Sequence, residues 1–143
     1  MTGAAVSRLF ENGFEAYDRG DYSEALTLFR RAVDKGDANA VFLIGVIYFE
    51  GRGILQDCSE AAKWFHRAAE MGDVEAQLSL GFQYLRGQGV PRNNVLAHMW
   101  FDVADAHGTV EGARGRDIAS LSMSRDQLTE AHRLTRDWKT SHR

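Results

Sequence analysis

Two consecutive blocks of 36 residues, 37–72 and 73–108, align with each other without a gap. Eleven positions are identical, and ten of them hold a glycine, an alanine or an aromatic residue. The identical pairs are Asp37/Asp73, Ala40/Ala76, Gly45/Gly81, Tyr48/Tyr84, Gly51/Gly87, Gly53/Gly89, Ala61/Ala97, Trp64/Trp100, Phe65/Phe101, Ala68/Ala104 and Gly72/Gly108. A fixed period of this length predicts a solenoid, because one unit cannot bury its apolar face without a neighbour.

The apolar residues outside and inside the repeats recur at the three- and four-residue spacing of a helix face. They predict eight helices and no strand, at about 2–18, 22–35, 37–50, 57–71, 73–86, 94–107, 109–120 and 124–139. Capping-box patterns precede three of these helices, as in Ser124 and Gln127 before the last one. The single proline, Pro91, leaves long helices free to form.

Glycines have two predicted roles. Those of Gly51-x-Gly53 and Gly87-x-Gly89 follow a helix rather than a strand, so we interpret them as helix stops and not as a phosphate cradle. Gly45 lies inside a helix, where glycine costs about 1 kcal/mol relative to alanine. We expect a neighbouring helix that carries Trp64, or Trp100 in the second copy, to approach closely there. Gly112 and Gly115 are expected to weaken the seventh helix.

Composition excludes several classes of site. The net charge of −3 shows no basic excess of the kind that nucleic-acid binding needs. One cysteine allows neither an intrachain disulfide nor a cysteine zinc site. No apolar run approaches the roughly 20 residues that a membrane-spanning helix needs. We expect a cytoplasmic location, or a periplasmic or secreted one if an export signal has been removed.

The order Ala-x-x-x-Leu/Ile-Gly-x-x-Tyr-x-x-Gly-x-Gly, then Ala-x-x-Trp-Phe-x-x-Ala, then Gly, resembles the Sel-one-like repeat, a relative of the tetratricopeptide repeat. Residues 37–72 and 73–108 match two full units. Residues 1–36 resemble a plainer tetratricopeptide unit with a shorter inter-helix loop, and 109–143 are similar to closing helices. The resemblance implies a single all-α domain over 1–143, an alpha-alpha superhelix of antiparallel helix pairs with C-terminal capping helices. It also implies an adaptor role, with no catalytic activity and no cofactor.

In tetratricopeptide units the first helix of each pair lines a concave groove, and the contact positions can be carried over by alignment on the helix glycine. Three apolar rows then follow, Phe10–Phe42–Leu78, Phe14–Val46–Phe82 and Tyr17–Phe49–Leu85, with Asn39, Glu50, Glu75 and Arg86 at the rims. An aromatic groove of this kind suits a helix or an extended peptide of a partner protein.

Two alternatives stay open at this point. The groove could be filled by the chain's own last helix. It could also be filled by a second copy of the chain, and the protein would then be a homodimer rather than the expected monomer. The chain could also be a small hydrolase, with Cys58 as the first suspect because it lies in the first turn of a helix.

The other candidate chemistries are interpreted as ordinary surface. The histidines His66, His98, His107, His132 and His142 show no i, i+4 pairing with one another, so we predict solvated side chains and no metal site. The basic residues of the last helix, such as Arg133 and Lys139, alternate with acidic ones such as Glu130. A solvated helix face is therefore predicted there instead of a nucleic-acid contact.

Overall fold

The structure, a computed structural model, describes residues 3–143, with side chains from Arg8 onward. This part of the chain forms eight helices and no strand, which confirms the predicted all-α class. The helices are α1 (Gly3–Asp18), α2 (Tyr22–Asp34), α3 (Asn39–Glu50), α4 (Cys58–Glu70), α5 (Val74–Arg86), α6 (Asn94–Asp105), α7 (Val110–Ser120) and α8 (Arg125–Ser141). Their ends differ from the predicted ones by no more than two residues, and the predicted start at Thr2 lies outside the described residues.

The helices are distributed over two compact units, Met1–Met71 and Gly72–Arg143. In the first unit α1 pairs with α2, α3 pairs with α4, and α2 packs on α3. In the second unit α5 pairs with α6, α7 packs on both of them, and α8 packs on α6. That 1–143 forms a single domain stays a prediction.

A glycine of the first helix contacts a phenylalanine ring of the second helix in each of the three pairs. A Cβ atom built on the glycine would lie 2.6–2.7 Å from the ring, closer than side chains can approach. The pairs are Gly13–Phe29, Gly45–Phe65 and Gly81–Phe101. All three rings are buried. The missing side chain therefore makes room for a core aromatic residue.

The predicted close approach of the helices that carry Trp64 and Trp100 is confirmed, but the residue that contacts the glycine is the phenylalanine and not the tryptophan. Each tryptophan precedes the phenylalanine by one residue, and a step of one residue turns a side chain by about 100° around the helix. Trp64 is half-buried and donates from Nε1 to Glu60 Oε1 at 3.3 Å. Trp100 is buried, with its ring centroid 6.0 Å from that of Trp138 on α8.

Phe101 also explains the glycines of α7. A Cβ atom on Gly115 would lie 2.5 Å from the Phe101 ring, and one on Gly112 would lie 2.9 Å from the Phe101 carbonyl oxygen. These glycines lower helix propensity, but they also allow α7 to lie directly on α6. The expectation that they only weaken the helix missed this role.

Most helix starts follow the predicted chemistry. Asp57, for example, accepts a hydrogen bond from the Glu60 amide at 2.9 Å, and Ser124 and Gln127 form a complete capping box. The start of α3 differs, because Ala38 is already in a helical conformation and has no side-chain cap. The Asp37 carboxylate instead accepts from the Asn39 amide at 2.9 Å.

The glycine loops are helix stops, as predicted. Gly51 and Gly87 end α3 and α5 with φ of 66° and 69°, a left-handed conformation that glycine adopts without strain. Each loop then closes with the same hydrogen bond, from Asp57 N to Tyr48 O and from Asn93 N to Tyr84 O, both at 2.9 Å.

We predict that Gly45→Ala destabilises the protein by about 1 to 3 kcal/mol, because the new methyl group must displace the Phe65 ring. Helix propensity alone would instead predict that Gly45→Ala stabilises the protein by about 1 kcal/mol. Urea unfolding of the single variants and of Gly45→Ala/Phe65→Leu measures the coupling. The smaller leucine should make the alanine less harmful, and a stabilising Gly45→Ala would contradict the assigned contact.

Candidate functional site

Three aromatic residues of α1, which we call the α1 aromatic stripe, follow one another along one face. The ring centroids of Phe10 and Phe14 are 6.3 Å apart, and those of Phe14 and Tyr17 are also 6.3 Å apart. Phe14 is 42% exposed, whereas Phe10 and Tyr17 are half-buried. The stripe therefore presents one accessible ring that two anchored rings hold in place.

The end of the stripe lies close to the end of α3. Burial raises the pKa of Tyr17, and the negative charge of Glu50 raises that pKa further. Glu50 Oε2 is 3.5 Å from Arg52 Nε, and Arg52 Nη1 donates to the Tyr22 hydroxyl at 3.4 Å. Two of the predicted partner-binding residues, Tyr17 and Glu50, are thus brought together.

The predicted residues of α3 are only partly accessible. Phe42 and Phe49 are half-buried because both rings pack on Phe65, at centroid distances of 5.5 and 6.2 Å. Val46 is half-buried and Asn39 is exposed. This face therefore offers rings that are partly covered by the protein itself.

In the second unit the predicted residues differ from one another in accessibility. Leu78 is in the core and only 7% exposed, so little of its surface remains for a partner. Phe82 meets the Phe101 ring edge-on at 4.9 Å, and the Arg86 guanidinium lies 5.1 Å from the centre of the Phe82 ring. Leu85 is half-buried and Glu75 exposed. The three rows combine residues of both units and stay a prediction.

A second group of side chains, which the sequence patterns did not predict, lies on α6 and α8. One ligand atom of each of His98, Asp102 and His132 lies within 4.8 Å of the others; we call these three the α6–α8 polar cluster. The prediction of a solvated His98 is wrong, because this residue is only 2% exposed. Its Nδ1 atom is buried without a hydrogen-bond partner, and burial lowers the pKa of His98.

The sequence signal for this cluster is a histidine paired with an aspartate on the same helix. His98 and Asp102 are four residues apart and therefore share one helix face, although no two histidines have this spacing. The contribution of His132 could not be read from the sequence, because it depends on how α8 packs on α6.

A protein-family model matches most of the chain. The family model described as Sel1 repeat matches residues 3–37, 38–73 and 74–104. The chain belongs to the Sel1 repeat family. Residues 3–37, which resemble a tetratricopeptide unit, therefore also match as a Sel1 repeat. Sel1 repeat proteins are generally protein-interaction scaffolds and are mostly non-enzymatic.

Solved structures of other Sel1 repeat proteins share the fold. The chain is similar to c5321, a protective antigen present in uropathogenic Escherichia coli strains that displays an SLR fold, with 30% identity and a TM-score of 0.87 over 96% of the chain. It resembles a Sel1 repeat protein from Oxalobacter formigenes, with 24% identity and a TM-score of 0.72 over 90% of the chain. Cysteine rich protein B of Helicobacter pylori has 17% identity and a TM-score of 0.60 over 79% of the chain.

The chain spans 30% of the length of c5321, 55% of that of the Oxalobacter protein and 96% of that of the Helicobacter protein. A search of curated protein sequences finds no significant match. Among the helices of residues 3–143, none has the length and apolar character that a bilayer span requires.

The lone cysteine and the charged residues of α8 occupy ordinary helix positions. Cys58 is the first residue of α4, half-buried and outside any disulfide. On α8, Arg133 donates to Glu130 at 2.6 Å and to Asp137 at 2.8 Å. This pairing agrees with a solvated helix face of mixed charge.

Arg116 of α7 connects the polar cluster to the rest of the second unit. Its Nη1 atom donates to Asp102 Oδ1 at 3.1 Å and to Asp105 Oδ2 at 2.7 Å. Its Nε atom lies 3.8 Å from an oxygen of Asp117. One guanidinium thus joins α6 to α7 and faces three carboxylates.

We predict that Arg116→Met destabilises the second unit by about 1.5 to 3 kcal/mol, because two half-buried carboxylates lose a charged donor. Arg133→Met is the matched control, since Arg133 also bridges two acidic residues but within one solvated helix, where ion pairs contribute little. Thermal and urea unfolding of both variants test this. Equal losses for the two variants would contradict a special role for the Arg116 bridge.

Proposed function

We propose that this Sel1 repeat chain is a non-enzymatic adaptor that binds a protein or peptide through the first helices of its repeats. The exposed ring of Phe14 in the α1 aromatic stripe is the observation that carries this proposal. Aromatic side chains held in place by neighbours lose little conformational entropy on binding and are enriched among binding hot spots.

The anchoring of the stripe supports this role. Phe10 packs against the buried Phe29 ring at a centroid distance of 5.8 Å, and Tyr17 meets Tyr22 edge-on at 5.3 Å. The stripe is therefore fixed to the core at both ends, and a partner that covers Phe14 would bury apolar surface without first having to order it.

Polar residues beside the aromatic ones would set the register of the partner. Glu50 lies near Tyr17, and Arg86 lies over Phe82. Asn39 and Glu75 are exposed. An apolar partner segment with a basic residue at the Glu50 end would fit this arrangement best.

An enzymatic role has less support, because Sel1 repeat proteins are mostly non-enzymatic. The chain spans only part of the length of some relatives, so the proposal concerns this chain and not the full length of those proteins. The expected cytoplasmic location stays a prediction.

We predict that Phe14→Ala weakens partner binding by about 2 kcal/mol or more, roughly thirtyfold, as expected for a central aromatic anchor. Leu55→Ala is the matched control, because Leu55 is also apolar and is 91% exposed, but lies in the loop after α3. Proteins captured by the purified chain are identified by mass spectrometry, and the binding segment of one is then titrated against the wild type and both variants.

The outcomes separate the alternatives. Loss of binding in a folded Phe14→Ala variant, with Leu55→Ala unchanged, supports the proposal. Unchanged binding in Phe14→Ala contradicts it. Light scattering is expected to give a monomer; a dimer that Phe14→Ala dissociates would instead assign the stripe to self-association.

A further inference from the structure

We propose that His98, Asp102 and His132 bind one divalent zinc ion. Two imidazoles and a carboxylate form a donor set that suits Zn²⁺ and other divalent transition-metal ions, whereas Mg²⁺ and Ca²⁺ prefer oxygen ligands alone. This inference is independent of the proposed partner-binding role, because it concerns other residues.

The geometry needs only a small adjustment. The three ligand atoms lie within 4.8 Å of one another. On a tetrahedral zinc with bonds of about 2.1 Å, two ligand atoms lie about 3.4 Å apart. The side chain of His132 is exposed, so it has room to rotate, and its ring lies edge-on to that of His98 at a centroid distance of 5.3 Å.

The buried atom of His98 points to a ligand. Its Nδ1 atom has no hydrogen-bond partner, although buried nitrogen and oxygen atoms almost always have one. A cation bound directly at Nδ1 would supply the missing partner of this nitrogen.

The surrounding charges favour a cation. The cluster contacts one positive group, Arg116, among the residues whose side chains the structure describes, and Arg116 faces the carboxylates of Asp102, Asp105 and Asp117. The surroundings therefore keep a net negative charge. Arg116 hydrogen-bonds Asp102 Oδ1, so we assign Oδ2 to the metal, and the arginine orients the ligand as outer-shell partners of metal sites do.

The site is specific to one copy of the repeat. In the first copy of the repeat, Ala62 occupies the position of His98, and His66 occupies the position of Asp102. The shared packing of the repeat therefore does not explain these two residues. Three protein ligands would leave one coordination position of the zinc for water or another donor.

Calorimetric titration of the chain without a histidine tag, with ZnCl₂ and separately with MgCl₂, tests the proposal. We expect one Zn²⁺ per chain, a raised unfolding temperature, and no comparable binding of Mg²⁺. His132→Ala changes an exposed residue and should weaken zinc binding at least tenfold. Loss of a residue that only supports a metal ligand already weakens metal binding by about tenfold or more. Asp102→Asn should also weaken it.

His107→Ala is the matched control, because it removes an exposed histidine of the same unit outside the cluster. His66→Ala removes a histidine whose Nε2 lies 3.6 Å from a Glu70 oxygen, an alternative surface site. Both should bind zinc as the wild type does. Absence of zinc binding, equal affinity in His132→Ala, or loss of binding in His66→Ala alone would overturn the proposal.

Discussion

The contact between a helix glycine and a buried phenylalanine ring determines how each helix pair packs. It occurs as Gly13–Phe29, Gly45–Phe65 and Gly81–Phe101. Because the ring occupies the space of the missing Cβ, the two helix axes approach more closely than larger residues would allow. The lower helix propensity of glycine is offset by burial of an aromatic side chain.

This contact also controls the surface. Phe65 packs under Gly45 and supports Phe42 and Phe49, so the partly exposed aromatic residues of α3 rest on the same ring that joins the pair. Phe101 is shared in the same way among Gly81, Gly115 and Phe82. Surface aromatic residues supported by a packed core are pre-organised, which favours binding over local rearrangement.

The two copies of the repeat keep the same packing positions but differ in their polar residues. The first copy has Ala62 and His66 where the second has His98 and Asp102. Only the second copy is followed by α7 and α8, which contribute Arg116 and His132 to the same region. A repeat can acquire a polar site in this way, because residues outside the glycine and phenylalanine contacts vary without changing the helix pair.

Much of the fold could be predicted from the sequence, because its signals are local. Helix spacing, side-chain caps such as Asp57 and Ser124, and glycine stops such as Gly51 depend on residues within one turn of one another. The repeat motif also indicated the family. Alignment on Gly13 was enough to identify the residues of the α1 aromatic stripe. The exposure of Phe14 could not be predicted in this way, because it depends on how the neighbouring side chains pack.

The sequence by itself determined the eight helices, their order and the repeat that pairs them. Only the tertiary structure decided that Phe65 rather than Trp64 faces Gly45, that His98 is buried, and that His132 joins it from α8. The physical reason is that helix caps, glycine stops and the spacing of apolar residues are set by residues close together along the chain. The direction and burial of a side chain depend instead on which helix packs against it.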